Sequence, residues 1–301
     1  MKFAKLLLIS PLVFFCLCCS NSNETQEKQR KMKSDSIASN KFNENSHDDF
    51  REIHLCTELL PPPAPNLHIA FNSDTSVYYR DSISNDTLVS TTFNVNRAYI
   101  ASLKGYYWPV NHRILTVTFL DGDTAVQRRV IATAKQWENY CGIKFNFGNF
   151  PNADITISFR YRGSWSYIGT YSQKMRPSMN FGWLYNYTSQ EEYNRVVLHE
   201  FGHALGYVHE HQNPNGNIPW NVEKVYQYYM GPPNNWDKGE VDENIFRKYT
   251  FDEVNATAFD PKSIMLYAIP PELTTNGFST SENSELSETD KRNVASLYPK
   301  S

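Results

Sequence analysis

The chain has 301 residues, a formal net charge of −3 and 14% aromatic residues, with 19 Tyr and 18 Phe. The faintly acidic balance excludes the basic-patch route to nucleic acid, so no nucleic-acid partner is expected. The length allows one large domain or two small ones, with ample aromatic material for a core and a cleft.

Met1 to Ser20 reads MKFAKLLLISPLVFFCLCCS. Lys2 and Lys5 form a basic start, and the apolar run from Leu6 to Leu17 is too short and wrongly flanked for a spanning helix. Residues 1–19 are therefore expected to be an export signal. Cys16, Cys18 and Cys19, followed at once by a polar Ser/Asn-rich run, resemble a bacterial lipoprotein signal with Cys19 as the lipidated residue. The expected location is the cell envelope, with the membrane a partner through that anchor. The alternative is an ordinary signal peptide that happens to contain cysteines, and a secreted product.

Residues 20–65 are expected to be a flexible tether. Asn21 to Asp49 is polar and charged and cannot bury enough surface to offset the entropy of ordering. Phe50 to Pro65 ends in Pro61-Pro62-Pro63-Ala64-Pro65, an extended and stiff spacer. In residues 66–104 the short apolar runs Leu67 to Phe71 and Ser76 to Tyr79 suggest strands. This segment is either a propeptide or an N-terminal extension packed on the domain that follows.

A folded domain is expected over residues 105–301. Arg113 to Leu120 alternates apolar and polar as a half-buried strand does. Thr124 to Tyr140 carries Val126, Val130, Ile131, Ala134 and Trp137 at helical spacing. Ile143 to Phe147, Asp154 to Phe159, Trp165 to Thr170 and Ser178 to Trp183 complete a sheet of about five strands. Glu191 to Leu205 reads as a helix capped by Ser189, with Glu191 and Glu192 favourable in its first turn.

That helix holds His199-Glu200-Phe201-Gly202-His203, and the pattern continues through Gly206 to His209. Histidines at i and i+4 lie one turn apart and can face one ion. Gly206 can take a positive φ and stop the helix, so that the chain returns His209 as a third nitrogen ligand. Three imidazoles and one water make an open, catalytic site for one Zn2+. Glu200 is placed to reach that water without ligating. A short helix is expected over Val222 to Met230, stopped by Gly231-Pro232-Pro233, while Asp252 to Ala258 stays ambiguous. Ser263 to Tyr267 reads SIMLY, with Met265 an apolar floor beneath the histidines. Ser287 with Asp290 three residues later is a variant capping box that starts a C-terminal helix.

The stretch HEFGHALGYVHE, His199 to Glu210, and the stretch SIMLY together resemble the metzincin metallopeptidases, the astacin branch in particular. The resemblance implies an α+β fold: a five-stranded twisted mixed sheet, an active-site helix, a Met-turn and a C-terminal helix. It implies a zinc endopeptidase acting on proteins or peptides, with Glu200 and Tyr267 catalytic and His199, His203 and His209 on the metal. Tyr267 would hydrogen-bond the oxyanion or weakly touch zinc. Trp165 to Thr170 would be the edge strand that pairs with an extended peptide. Glu210 matches a residue that binds the trimmed N-terminus in astacins, which would require an N-terminus near Tyr106. The propeptide Asp that caps the zinc in astacins has no clear copy here.

Only Cys56 and Cys141 remain beyond the signal region. They stand as two lone cysteines, as a disulfide pair in an oxidising compartment, or with Cys56 as a thiolate plug on zinc in a latent form. Two other functions stay open. One is an inactive surface-binding or adhesion protein on the same scaffold, which the intact Glu200 argues against. The other is a zinc hydrolase of a non-peptide amide.

Overall fold

A computed structural model describes residues 56–59, 101–232 and 234–300. The export signal, the lipidation site Cys19, residues 20–55 and 60–65 of the tether with its proline-rich spacer, and the apolar runs expected within 66–100 lie outside the described residues.

The strands of the main sheet are β1 (Cys56–Leu59), β3 (Ile114–Phe119), β4 (Lys144–Phe147), β5 (Ile155–Ser158), β6 (Ser164–Tyr167) and β7 (Met179–Phe181). They lie side by side in the order β4-β3-β5-β7-β6-β1. β4, β3, β5 and β7 are mutually parallel, and β6 runs antiparallel to β7. β3 alternates as its sequence demands, with Leu115 and Val117 buried and Ile114 exposed. The five expected strands are thus present, and the sheet is mixed. A sixth strand is added from inside the expected tether: β1 pairs parallel with β6, Cys56 opposite Ser164 and Leu59 opposite Tyr167. That part of 20–65 is ordered because β6 offers it an open row of main-chain donors and acceptors.

A small antiparallel pair joins β2 (Ser102–Leu103) to β8 (Val254–Asn255), which settles the ambiguous stretch near 252–258. Ser102 and Leu103, just before the expected start at 105, are thereby paired with the domain that follows.

Helix α1 (Thr124–Ala134) is capped by Asp123, whose side chain accepts from the Ala125 and Val126 amides. It tightens to a 3-10 turn over Lys135–Asn139, shorter as an α-helix than expected. In that turn the Trp137 indole is fully buried and donates to Leu198 O at 3.1 Å. Helix α2 (Gln190–Ala204) lies beneath the sheet, where Phe201 meets Phe145 edge-on at 4.9 Å. Its last carbonyls are satisfied from distant residues, Trp108 Nε1 to Ala204 O at 2.7 Å and Tyr298 Oη to Leu205 O at 2.6 Å. Then come α3 (Val222–Met230), the single turn α4 (Lys238–Val241) and α5 (Glu288–Leu297). The Ser287/Asp290 capping box on α5 is formed in both directions.

Candidate metal centre and active site

Helix α2 starts where expected: Ser189 accepts from the Glu192 amide. Two turns on, His199 and His203 point to one side, their rings 4.7 Å apart. Gly202 between them is a packing requirement. A Cβ there would sit 2.3 Å from Met265 Sδ, so any larger residue would force the Met265 side chain to move. Gly206, at φ 100°, ends the helix and reverses the chain. The reversal brings His209 to 4.8 Å from His203 and 5.2 Å from His199, ring to ring. One donor atom from each of the three histidines lies within 4.8 Å of the others, and all three residues are buried.

The hydrogen bonds fix which nitrogen is available. His199 Nδ1 lies 2.8 Å from Ile264 O, and His203 Nδ1 lies 2.8 Å from Tyr207 O. A carbonyl can only accept, so each Nδ1 carries the proton and each Nε2 keeps its lone pair. Those two Nε2 atoms are 3.1 Å apart. Two buried lone pairs at that distance repel unless a cation lies between them. Burial, followed by the neighbouring histidines, drives His199 and His209 well below the usual imidazole range, and burial alone takes His203 to about 4. Neutral imidazoles with converging lone pairs, and no thiolate or carboxylate among the three, fit a borderline-soft ion such as zinc.

Glu200 is fully buried on the same turn of α2. Cys56 stands beside it, and burial and that carboxylate together push the Cys56 thiol well up. Tyr267 lies against the metal group, 4.4 Å from the His209 ring and 6.1 Å from His199. Its hydroxyl donates to the carbonyl of Cys56. A cavity of about 130 Å³ opens beside His199, lined by Cys56, Arg195, Ile264 and Tyr267 among others. All five residues expected from the sequence are therefore brought together, with β1 laid across them. Cys56 and Cys141 are not paired with each other, so the disulfide alternative is set aside.

Two participants are not legible in the sequence as they stand here. Cys56 is expected at most as a plug on zinc, whereas it stands beside Glu200, whose carboxylate helps push its thiol up. His211 stacks on Tyr267 at 4.7 Å and on His209 at 5.2 Å, with Nε2 2.8 Å from Asn244 O. Its position two residues past His209, in the run His-Glu-His, is the available signal. Glu210 lies apart from the three ligating nitrogens. It is buried, accepts from Asn213 Nδ2 at 2.8 Å and the Asp260 amide at 3.0 Å, and burial lifts it to about 8. Among the backbone groups that oppose this rise is the Ala101 amide, five residues before the expected Tyr106.

Residues 104–295 match the family model Astacin, a peptidase family. A solved structure of myroilysin is 44% identical, with a TM-score of 0.64, over 67% of this chain and 99% of that one. A crystal structure of myroilysin is 41% identical with a TM-score of 0.51, over 68% and 93%. High choriolytic enzyme 1, a hatching enzyme zinc-protease of the medaka fish Oryzias latipes, aligns at 14% identity and TM-score 0.46 over 68% and 96%. No curated protein matches the chain.

Proposed function

From a chain that belongs to the astacin family of zinc metalloendopeptidases, we propose an exported endopeptidase with Glu200 as general base, held latent by its own β1. The observation that carries the reading is the pair of tautomer-fixed Nε2 atoms at 3.1 Å with His209 completing the set.

His199, His203 and His209 would hold the one catalytic zinc of the family, which on binding lowers the pKa of a water and polarises the scissile carbonyl. Glu200 takes the proton from the attacking water and returns it to the leaving amine. Tyr267 donates its hydroxyl to the oxygen that gains charge in the tetrahedral state. Its present acceptor, the Cys56 carbonyl, is a peptide carbonyl standing where a substrate's would stand. β6 supplies main-chain groups to an extended substrate, the same groups that β1 now uses. Latency follows from that overlap: β1 takes the strand-pairing edge, the Tyr267 hydroxyl and the space over Glu200 at once.

Activation in this reading removes the chain before Ala101. The new ammonium would then face the buried Glu210 carboxylate, and N-terminal sequencing of active protein checks it. Export by residues 1–19 and lipidation at Cys19 belong to the same proposal. Labelled palmitate should enter the wild-type protein and not Cys19→Ala. No helix among the described residues is long and apolar enough to cross a membrane.

The central test uses protein trimmed before Ala101, incubated with denatured protein. Cleavage should stop with a chelator and return with zinc. Glu200→Gln should lose cleavage by about a hundredfold or more while keeping its zinc. Loss of zinc in Glu200→Gln would make Glu200 structural and refute the mechanism.

A further inference from the structure

Asp290 is the third residue of α5 and is fully buried. Its place in the capping box needs one bond, from the Ser287 amide at 2.8 Å. It accepts two more, from Ser263 Oγ at 2.8 Å and from the Ile264 amide at 2.9 Å. Ser263 Oγ in turn accepts from the Met265 amide at 3.1 Å. The two bonds from the Met-turn cross 27 and 26 residues of chain and do nothing for the helix cap. They pin the first half of the Met-turn. The carbonyl of the pinned Ile264 accepts the hydrogen bond from His199 Nδ1. Burying a carboxylate is costly, and here burial lifts Asp290 to about 6. A cap alone is made more cheaply by an exposed residue.

We propose that Asp290 is a positioning residue for the metal site: by clamping Ser263 and Ile264 it holds the carbonyl that fixes the tautomer and ring plane of His199. The inference rests on the zinc reading of the three histidines. Groups that orient a metal-bound imidazole through its far nitrogen commonly govern affinity by about 10–100-fold.

The test measures zinc dissociation constants of the full chain by competition with a chelating dye. Asp290→Ala should weaken zinc by about 10–100-fold. Val294→Ala, a buried change on the same helix that touches no Met-turn hydrogen bond, is the control for mere loss of stability. It should lower the unfolding temperature of the metal-free protein and leave zinc affinity within about twofold, as expected for a site it does not contact. Cobalt(II) loaded into Asp290→Ala should show altered visible absorption bands, and into Val294→Ala the wild-type bands. If Asp290→Ala does not fold, Asp290→Asn serves. It keeps the shape but turns an amide toward the Ser263 hydroxyl, and it should weaken zinc in the same direction.

Wild-type affinity in both Asp290 variants, or equal zinc loss in Val294→Ala, overturns the proposal alone. A wild-type protein with no zinc affinity overturns the metal reading as well.

Discussion

Tyr267 is held by stacking on His211 at 4.7 Å and by a tilted contact with His209 at 4.4 Å, so its ring has few ways to move and its hydroxyl is aimed. Tyr267→Phe removes that hydroxyl and little packing. In protein trimmed before Ala101, kcat should fall on the order of a hundredfold while KM barely moves. Steady-state kinetics on one peptide checks it, and a rise in KM alone would make the residue part of the binding wall. The three histidines and Glu200 are readable in the sequence because their geometry is local: one helical turn and one glycine reversal place them. His211 and Asp290 are not, because what they touch is set by folding. Asn244 lies 33 residues from His211, and Ile264 lies 26 from Asp290.

At the scale of elements, strands β3 and β5 are tied by a buried carboxylate. Asp154 accepts from the Thr116 amide at 2.7 Å and hydroxyl at 2.8 Å, and from Gln173 Nε2 at 2.7 Å, with His112 at 2.9 Å. Burial pushes its pKa up, but the hydrogen bonds and His112 outweigh that and leave it below 3.8. A carboxylate depressed in the folded state gives stability that is present above its unfolded value and lost as pH falls through the folded one. Asp154→Asn should therefore be less stable near neutrality and show a flatter loss of stability below pH 3.8, read from urea midpoints across that range. The strands around Asp154 are legible from alternation. β1 is not: Cys56-Thr57-Glu58-Leu59 is too short to show a period, and it is a strand only because the β6 edge recruits it. The expected strand Trp165 to Thr170 is too long for the opposite reason. The apolar run continues, but the backbone turns into a 3-10 helix at Gly169.

For the molecule as a whole, the proposed latency makes β1 and an extended substrate alternatives for the same space. Full-length protein should be nearly inactive on a peptide substrate. Limited proteolysis within residues 60–100 should release activity without changing the fold of residues 101–300, followed by circular dichroism. Full activity in intact protein would remove β1 from any regulatory part. Ser102 and Leu103 carry no strong pattern of their own, so β2 is not legible in the sequence. They are held by β8 and by the Gly206 carbonyl, which accepts from the Leu103 amide at 2.9 Å.

β1 and β6 belong to one chain, and this changes the molecularity of the competition. A tethered strand meets its site at an effective concentration of about millimolar, however dilute the protein. At equal intrinsic affinity, a substrate at about micromolar level would then hold the cleft in roughly one molecule in a thousand. Diluting the protein leaves that ratio untouched, and the tethered strand holds the cleft in most molecules at any substrate level well below millimolar. Cutting one bond in the connecting segment turns the same contact into an ordinary bimolecular one. The strand then falls to the bulk concentration of the protein itself and diffuses away. A single hydrolysed bond thus moves the occupancy of the cleft by orders of magnitude, and nothing tethered remains to reverse it.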